Sequence, residues 1–145
     1  MKDWLFGALS VIGATIAHAL GGWDSALAVL VGMMAADYIT GLMTALIWHK
    51  STKTAGGAFS SNASIKGLFR KLGMLMLVWV GAMVDRAIGV EYVRTAVILF
   101  LIANEGFSVL ENTAVMGIPY PTAIKKALEI LKDNADAKDG EQDEP

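Results

Sequence analysis

The chain has 145 residues, of which 54% are hydrophobic and only 18% charged, and its mean hydropathy is +0.50. These values are too apolar for a soluble domain of this length, so they indicate one small membrane domain. The net charge of -2 says little, because the charges are sorted by position along the chain. The absence of cysteine excludes disulfides and thiolate catalysis, and two histidines, His18 and His49, do not suffice for a histidine-built metal site within one subunit.

The first apolar run, residues 4–20, predicts a membrane-spanning helix. Ala17-His18-Ala19 also resembles a signal-peptide cleavage site, but Met1-Lys2-Asp3 carries no net side-chain charge, which favours an uncleaved span. Gly21-Gly22-Trp23-Asp24 then predicts a tight turn, with Trp23 as an anchor at the membrane interface.

The second run, residues 25–48, is long enough to cross a hydrocarbon core of roughly 30 Å as a helix. It contains the segment Asp37-Tyr38-Ile39-Thr40-Gly41, which puts a carboxylate in the middle of the run. An ionisable residue at that depth usually faces a bundle interior or a water-filled path. Asp37 is therefore a candidate functional residue.

Two further spans are predicted over residues 68–88 and 93–112. The third reaches spanning length only if residues beside its charged flanks are included, and Arg70 and Lys71 are then expected to extend toward the headgroups. The segment Ser51 to Ser64, rich in Ser, Thr, Gly and Ala, is expected to be a loop.

Span four is interrupted by polar residues that need partners or water within a membrane. Two overlapping helical faces can be drawn: Asn104, Ser108 and Glu111 form one, and Glu105, Ser108 and Asn112 the other. Three interpretations stay open. Asp37, Asn104 and Glu105 form a buried polar knot, or they line an aqueous path between subunits, or they relay protons. We take Asp37, Thr40, Asn104, Glu105, Ser108 and Glu111 as the candidates for a pore lining or an assembly contact.

Small residues recur every four positions in the first two spans, a spacing that allows close approach of helices in lipid. Gly13, Ala17 and Gly21 carry this pattern in span one, and Gly32, Ala36, Thr40 and Thr44 carry it in span two. We take Gly13, Ala17, Gly32, Ala36 and Gly41 as the helix-packing candidates. The contacts are either within one subunit or between subunits of a homo-oligomer.

Beyond span four, Gly117-Ile118-Pro119-Tyr120-Pro121 ends the membrane domain, taken as residues 1–121. Residues 122–132 predict an amphipathic helix suited to the cytoplasmic membrane surface or to packing on a partner subunit. Residues 133–145 are acidic without apolar periodicity, so they predict a disordered tail. The expected fold is thus all-α, with about four transmembrane helices.

Lysine and arginine are concentrated in three segments that four spans would place on one face of the membrane. Because cytoplasmic loops carry the excess of these residues, both termini are predicted to be cytoplasmic. The basic loop from Lys50 to Lys71 is better explained by this topology than by nucleic-acid binding. No phosphate loop, nucleophile elbow or metal-ligand spacing occurs in the sequence, so neither an enzyme nor a bound cofactor is expected.

The ordered motifs resemble the toxin secretion and phage lysis holins, of the clostridial and pneumococcal phage type. The resemblance includes Asp37 to Gly41, Lys66-Gly67-Leu68-Phe69-Arg70-Lys71 and Asp85. It is strongest over Asn104 to Asn112, followed by Gly117 to Pro121. Together these motifs cover roughly residues 30 to 132.

This resemblance implies a multi-pass protein of the bacterial cytoplasmic membrane that assembles with itself among the membrane lipids. It also implies lesions, opened at a set time of host lysis, that let an endolysin reach the cell wall without direct contact. The acidic C-terminal segment differs from the basic tails of many holins. Two alternatives remain open: a non-lytic export channel for a large toxin or bacteriocin, and a small selective ion channel subunit. A structural scaffold in the membrane is the fallback.

Overall fold

The computed structural model describes residues 2–140, which form five helices and no strand. Their bounds are α1 Lys2–Ala19, α2 Ser25–Met43, α3 Ser61–Ile88, α4 Val93–Val115 and α5 Thr122–Gly140, and a π-helical turn over Thr44–Trp48 continues α2. The predicted all-α class is confirmed.

Within residues 2–140, three helices are long and apolar enough to cross a membrane: Ser25–Trp48, Ser61–Ile88 and Val93–Val115. The predicted first span, residues 4–20, is not among them, so the expectation of four spans is not reproduced. The 18 residues of α1 include Lys2, Asp3 and His18, which lower the apolar content of the helix. α1 has no buried residue, and large apolar side chains such as Trp4 and Phe6 are exposed on it.

The third span begins earlier than the sequence predicts. The Ser60 side chain caps α3 by accepting a hydrogen bond of 3.4 Å from the backbone N–H of Ala63, so the helix starts at Ser61 rather than near Leu68. The predicted loop to Ser64 is correspondingly shorter. This earlier start puts Lys71 well inside a helix instead of at its edge.

The core lies where α4 packs against α2 and α3. Leu27 and Leu30 of α2, Val78 of α3 and Ile98 and Leu101 of α4 are all buried there. α4 is therefore the central helix, and its buried face determines which polar side chains lie inside the bundle.

α5 runs back along α4 instead of lying apart from it. Leu128 contacts α4 beside Gly106, where an added Cβ atom would be 2.6 Å from the Leu128 Cδ2 atom. Leu131 packs against the core cluster, and Ala135 is buried. Because these three residues follow a helical spacing of three and four, the apolar edge of α5 continues past Lys132.

The sequence predicts disorder from Asp133 onward, and for residues 133–140 that prediction is wrong, because α5 includes them. The remainder of the predicted tail, residues 141–145, lies outside the described residues. In the structure this helix packs against α4, and its predicted placement on the membrane surface stays a prediction.

A second set of contacts joins the turn before α2 to the start of α4. Arg94 donates hydrogen bonds to the Leu20 and Gly22 carbonyl oxygens and to Asp24 Oδ2, the last at 2.6 Å. Asp24 also caps α2 by accepting from the Leu27 N–H at 2.8 Å. Asp85, near the end of α3, accepts from the N–H groups of Val93 and Arg94 and so caps α4. These contacts fix the end of the bundle that lies away from the Ser51–Ser60 loop.

Candidate functional site

Three helices each contribute one buried ionisable side chain to a single cluster. Lys71 of α3 donates a hydrogen bond to Asp37 Oδ2 of α2 at 2.8 Å, and it also donates to Glu105 Oε2 of α4. The exposed fractions of Asp37, Glu105 and Lys71 are 1%, 0% and 7%. One ammonium group therefore joins two carboxylates on different helices.

The loop after α2 supplies a second cation. Lys53 Nζ is 3.3 Å from both carboxylate oxygens of Asp37. The loop reaches this position because it folds back on the end of the π-helical turn, where the Ser51 N–H donates to the Gly57 carbonyl at 2.9 Å. Gly57 has a φ of +69°, and a Cβ atom there would lie 2.3 Å from the His49 carbonyl oxygen. Only glycine fits this close approach.

A neutral amide completes the hydrogen bonds on the α2 side. Asn112 of α4 is buried, and its Nδ2 donates to Asp37 Oδ1 at 3.2 Å and to Thr40 Oγ1 at 2.9 Å. Thr40 in turn donates to the Ala36 carbonyl at 2.8 Å. Asp37 is therefore contacted by Lys53, Lys71 and Asn112.

Glu105 is less completely satisfied. Its Oε1 atom is buried and has no hydrogen-bond partner among the described residues, and Arg70 Nη2 approaches it only to 3.7 Å. The Arg70 side chain is 53% exposed. Glu105 thus depends mainly on Lys71 for compensation of its charge.

The cluster contains three cations and two carboxylates, and its energetics depend on all of them. Desolvating such charges costs several kcal/mol each, which their mutual attraction repays only in good geometry. Removing one partner from a buried pair therefore costs about 3–5 kcal/mol. The arrangement can hold α2, α3 and α4 in one register, and the loss of a single charge destabilises that register.

The structure brings only some of the predicted polar residues together. Asp37, Thr40 and Glu105 meet at the ion cluster, whereas Asn104 and Glu111 are exposed and Ser108 is half-buried. Asn104 lies on the exposed edge of α4, although its neighbours Ala103 and Glu105 are both buried, whereas 105 and 112 lie on one face. The interpretation of Asp37, Asn104 and Glu105 as one buried polar knot is therefore wrong for Asn104. The amide that contacts Asp37 belongs to Asn112.

Sequence reasoning did not assign Lys71, Lys53 or Asn112 to the site. Lys71 is expected to extend toward the headgroups, but its side chain is buried in the bundle, where it pairs with Asp37 and Glu105. The available signal was electrostatic, since two carboxylates within apolar helices require a cation at the same depth. Lys53 gave no comparable signal, because its position depends on how the loop folds.

The small-residue positions differ in their surroundings. Gly41 lies inside the cluster, with an added Cβ atom 3.4 Å from Lys53 Nζ. Gly13 and Gly32 are exposed, and an added Cβ atom at either would have no atom within 4 Å. Ala17 and Ala36 are half-buried. Gly13 and Gly32 therefore make no close helix contact within the described residues.

Comparison with known proteins gives a consistent result. The profile of the bacteriophage holin family matches residues 14–133. A protein of Listeria monocytogenes is 36% identical over 140 residues, which is 96% of this chain and 91% of the relative. A 14.9 kDa protein of Clostridium perfringens is 34% identical over 83% of this chain and 86% of the relative.

A phage protein is also similar to this chain. A protein of Bacillus phage phi105, named a probable holin, is 32% identical over 74% of this chain and 75% of its own length. No solved structure matches. The matched family is one of membrane pore-forming proteins rather than enzymes. With three apolar helices of spanning length and a family match over most of its length, this chain belongs to the bacteriophage holin family.

Proposed function

We propose that this chain assembles with itself in the bacterial cytoplasmic membrane and opens lesions through which an endolysin reaches the cell wall. The observation that carries the proposal is the buried cluster of Asp37, Lys71 and Glu105, because it joins three apolar helices by contacts that one lost charge disrupts. Membership of the holin family and the name of the phage relative support the same function.

The closed subunit keeps its intramembrane charges paired internally, so it is compatible with surrounding lipid. Lesion formation then requires a second packing, in which these polar side chains face water between subunits. This is a population shift, and the delay before lysis reflects how rarely the closed packing opens. Depolarisation is the proposed trigger, since moving one charge across the full potential is worth roughly 2.3 kcal/mol per 100 mV.

The position of α5 bears on the first step of assembly. Leu128 packs beside Gly106, near the middle of α4, so the exposed charges of Lys126, Glu129 and Lys132 lie at intramembrane depth. A central charge costs about 2.5–3.5 kcal/mol. Separating α5 from α4 loses about 1.5–3 kcal/mol of hydrophobic stabilisation per buried leucine. Burial of the same side chains in the membrane interface recovers part of this free energy.

When lipid surrounds the subunit, the free-energy cost of keeping these charges at intramembrane depth therefore exceeds the stabilisation from the apolar contacts of α5. We infer that α5 leaves α4 and lies on the cytoplasmic membrane surface. When α5 leaves, the face of α4 around Gly106 becomes exposed. The small residue on that face allows close approach of a second copy of the chain. The exposed Gly13 and Gly32 are further candidates for contacts between copies.

The excess of lysine and arginine in three segments favours cytoplasmic termini in the assembled protein. This topology requires an even number of crossings, so α1 would provide the fourth. Its exposed apolar side chains, including Leu5, Leu9 and Ile12, are suited to contact with lipid. Chemical labelling of single cysteines at the two ends of α1 from each side of the membrane tests this topology.

The proposed lesion is tested by reconstituting the purified chain in lipid vesicles that contain both a small fluorescent dye and a labelled protein of endolysin size. A holin of this kind releases both cargoes, because its lesions pass folded proteins. Release of the dye alone would instead indicate a narrow channel, and retention of both would exclude lesion formation under these conditions.

A further inference from the structure

A cavity of about 640 Å³ lies beside the ion cluster, between α2, the Ser51–Ser60 loop and the first half of α3. Four cations line it: Lys53, Lys66, Arg70 and Lys71. Asp37 is the only carboxylate among its lining residues. The cavity therefore has an excess of positive charge.

The cations do not all serve the ion cluster. Lys71 is buried and paired, and Lys53 contacts Asp37. Lys66 is exposed and has no ion-pair partner among the described residues, and Arg70 has only the 3.7 Å approach to Glu105. Two cationic side chains at the rim are therefore available to an anionic ligand.

The surroundings of the rim are apolar. Phe59 lines the cavity and is exposed, and Ile65 and Phe69, next to Lys66 and Arg70 in the chain, are also exposed. A free anion would gain nothing from these side chains. An amphiphile with an anionic head and hydrocarbon chains would contact both the cations and the apolar surface.

We propose that this cavity binds the headgroup of an anionic phospholipid. Lys66, nearer the loop end of α3, contacts the phosphate, and Arg70, about one turn deeper and 53% exposed, extends toward it to donate two parallel hydrogen bonds. The acyl chains lie along the exposed apolar side chains of α3. A bound phosphate also adds a negative charge near Arg70 and Lys53. The proposal requires membrane insertion but not lesion formation, so it can fail or succeed independently of the proposed lysis function.

The test uses the purified full chain in a neutral detergent, titrated with short-chain phosphatidylglycerol, phosphatidylcholine or inorganic phosphate while the midpoint of thermal unfolding is followed. We expect only phosphatidylglycerol to raise the midpoint. The double variant Lys66→Gln with Arg70→Gln should weaken the apparent affinity by about tenfold or more, since charge-assisted bonds to phosphate are lost. The matched control, Lys125→Gln with Lys126→Gln, removes the same charge from α5 and should bind like the wild type.

If the double variant does not fold, Lys66→Gln alone is informative, because this exposed side chain has no partner to lose within the described residues. Its apparent affinity for phosphatidylglycerol should still fall. Equal stabilisation by phosphatidylcholine would show that charge is not recognised, and equal stabilisation by inorganic phosphate would show a free-anion site. Either result, or equal loss of affinity in the control, would overturn the lipid assignment.

Discussion

Lys71 of α3 donates a hydrogen bond of 2.8 Å to the Asp37 carboxylate of α2, and both side chains are buried. The same ammonium group also binds Glu105 of α4, so a single cation joins all three candidate spans. A buried ion pair of this kind contributes little net free energy to folding when both partners are present, but removing one partner leaves an uncompensated buried charge. This asymmetry makes the cluster suited to hold a closed state that opens abruptly.

Removing the shared cation should shorten the delay before lysis. Lys71→Met leaves Asp37 and Glu105 without their common partner, at a cost of about 3–5 kcal/mol to the closed packing. We expect the onset of lysis, followed by culture density, to be earlier than in the wild type at equal amounts of membrane protein. Lys50→Met, which changes an exposed lysine outside both the ion cluster and the cavity, is the matched control, and its onset should be unchanged. Wild-type timing in Lys71→Met would mean that the cluster does not hold the closed state.

Two acidic residues on α4 should respond differently to the same substitution. Glu105→Gln removes a fully buried charge that Lys71 contacts, whereas Glu111→Gln changes an exposed side chain. We expect Glu105→Gln to alter the timing of depolarisation and Glu111→Gln to leave it within the scatter of the wild type. Similar effects of both variants would contradict the division of α4 into a buried and an exposed polar face.

The contact between Asp24 and Arg94 should make stability depend on pH in the acid range. The hydrogen bond from Arg94 holds the pKa of the Asp24 carboxyl below its usual value, although partial burial opposes this. The stabilising contribution is therefore present above the unfolded pKa of about 3.9 and is lost as the pH falls through the lower folded pKa. Because the Asp24 side chain is 46% exposed, the contribution is at most about 1 kcal/mol.

Asp24→Asn isolates this charge, because asparagine still caps α2. The midpoint of thermal unfolding of the purified protein should be lower in the variant than in the wild type at neutral pH. The difference should shrink as the pH is lowered below about 4. A difference that stays constant with pH would refute the electrostatic explanation and leave only a structural one.

The proposed release of α5 can be measured by cysteine accessibility, since the chain contains no native cysteine. Ala135→Cys lies in the contact between α5 and α4, and Ile98→Cys lies in the core, so both are buried when α5 is docked. In inside-out membrane vesicles we expect an impermeant maleimide to label the cysteine at position 135, which then lies at the membrane–water interface, faster than the one at 98, which stays in the core. Equal protection of both would show that α5 stays docked in the membrane.

The sequence predicts the features that depend on local pattern. Asp37 and Glu105 stand out because charges interrupt apolar runs, and the span over residues 25–48 has the same bounds as Ser25–Trp48 in the structure. Features that depend on helical phase or on contacts between distant residues are harder to predict from the sequence. Choosing Glu105 over Asn104 requires knowing which side of α4 faces the core.

Tertiary contact likewise decided the roles of Lys71 and α5. Both are compatible with the membrane surface when considered alone, yet Lys71 compensates two carboxylates and α5 continues an apolar edge through Ala135. The acidic composition after Asp133 made the continuation of this apolar edge hard to recognise in the sequence, because Ala135 is the only residue that extends it within the described residues.

The central claim is tested most directly by inducing the chain in a bacterium, alone and together with a cytoplasmic muralytic enzyme that lacks a secretion signal. Culture density and membrane potential are followed in the same cultures. The account predicts a delay, then sudden depolarisation in both cultures, with lysis only where the enzyme is present. Sustained potential and growth in both cultures, with the chain verified in the membrane, would contradict it.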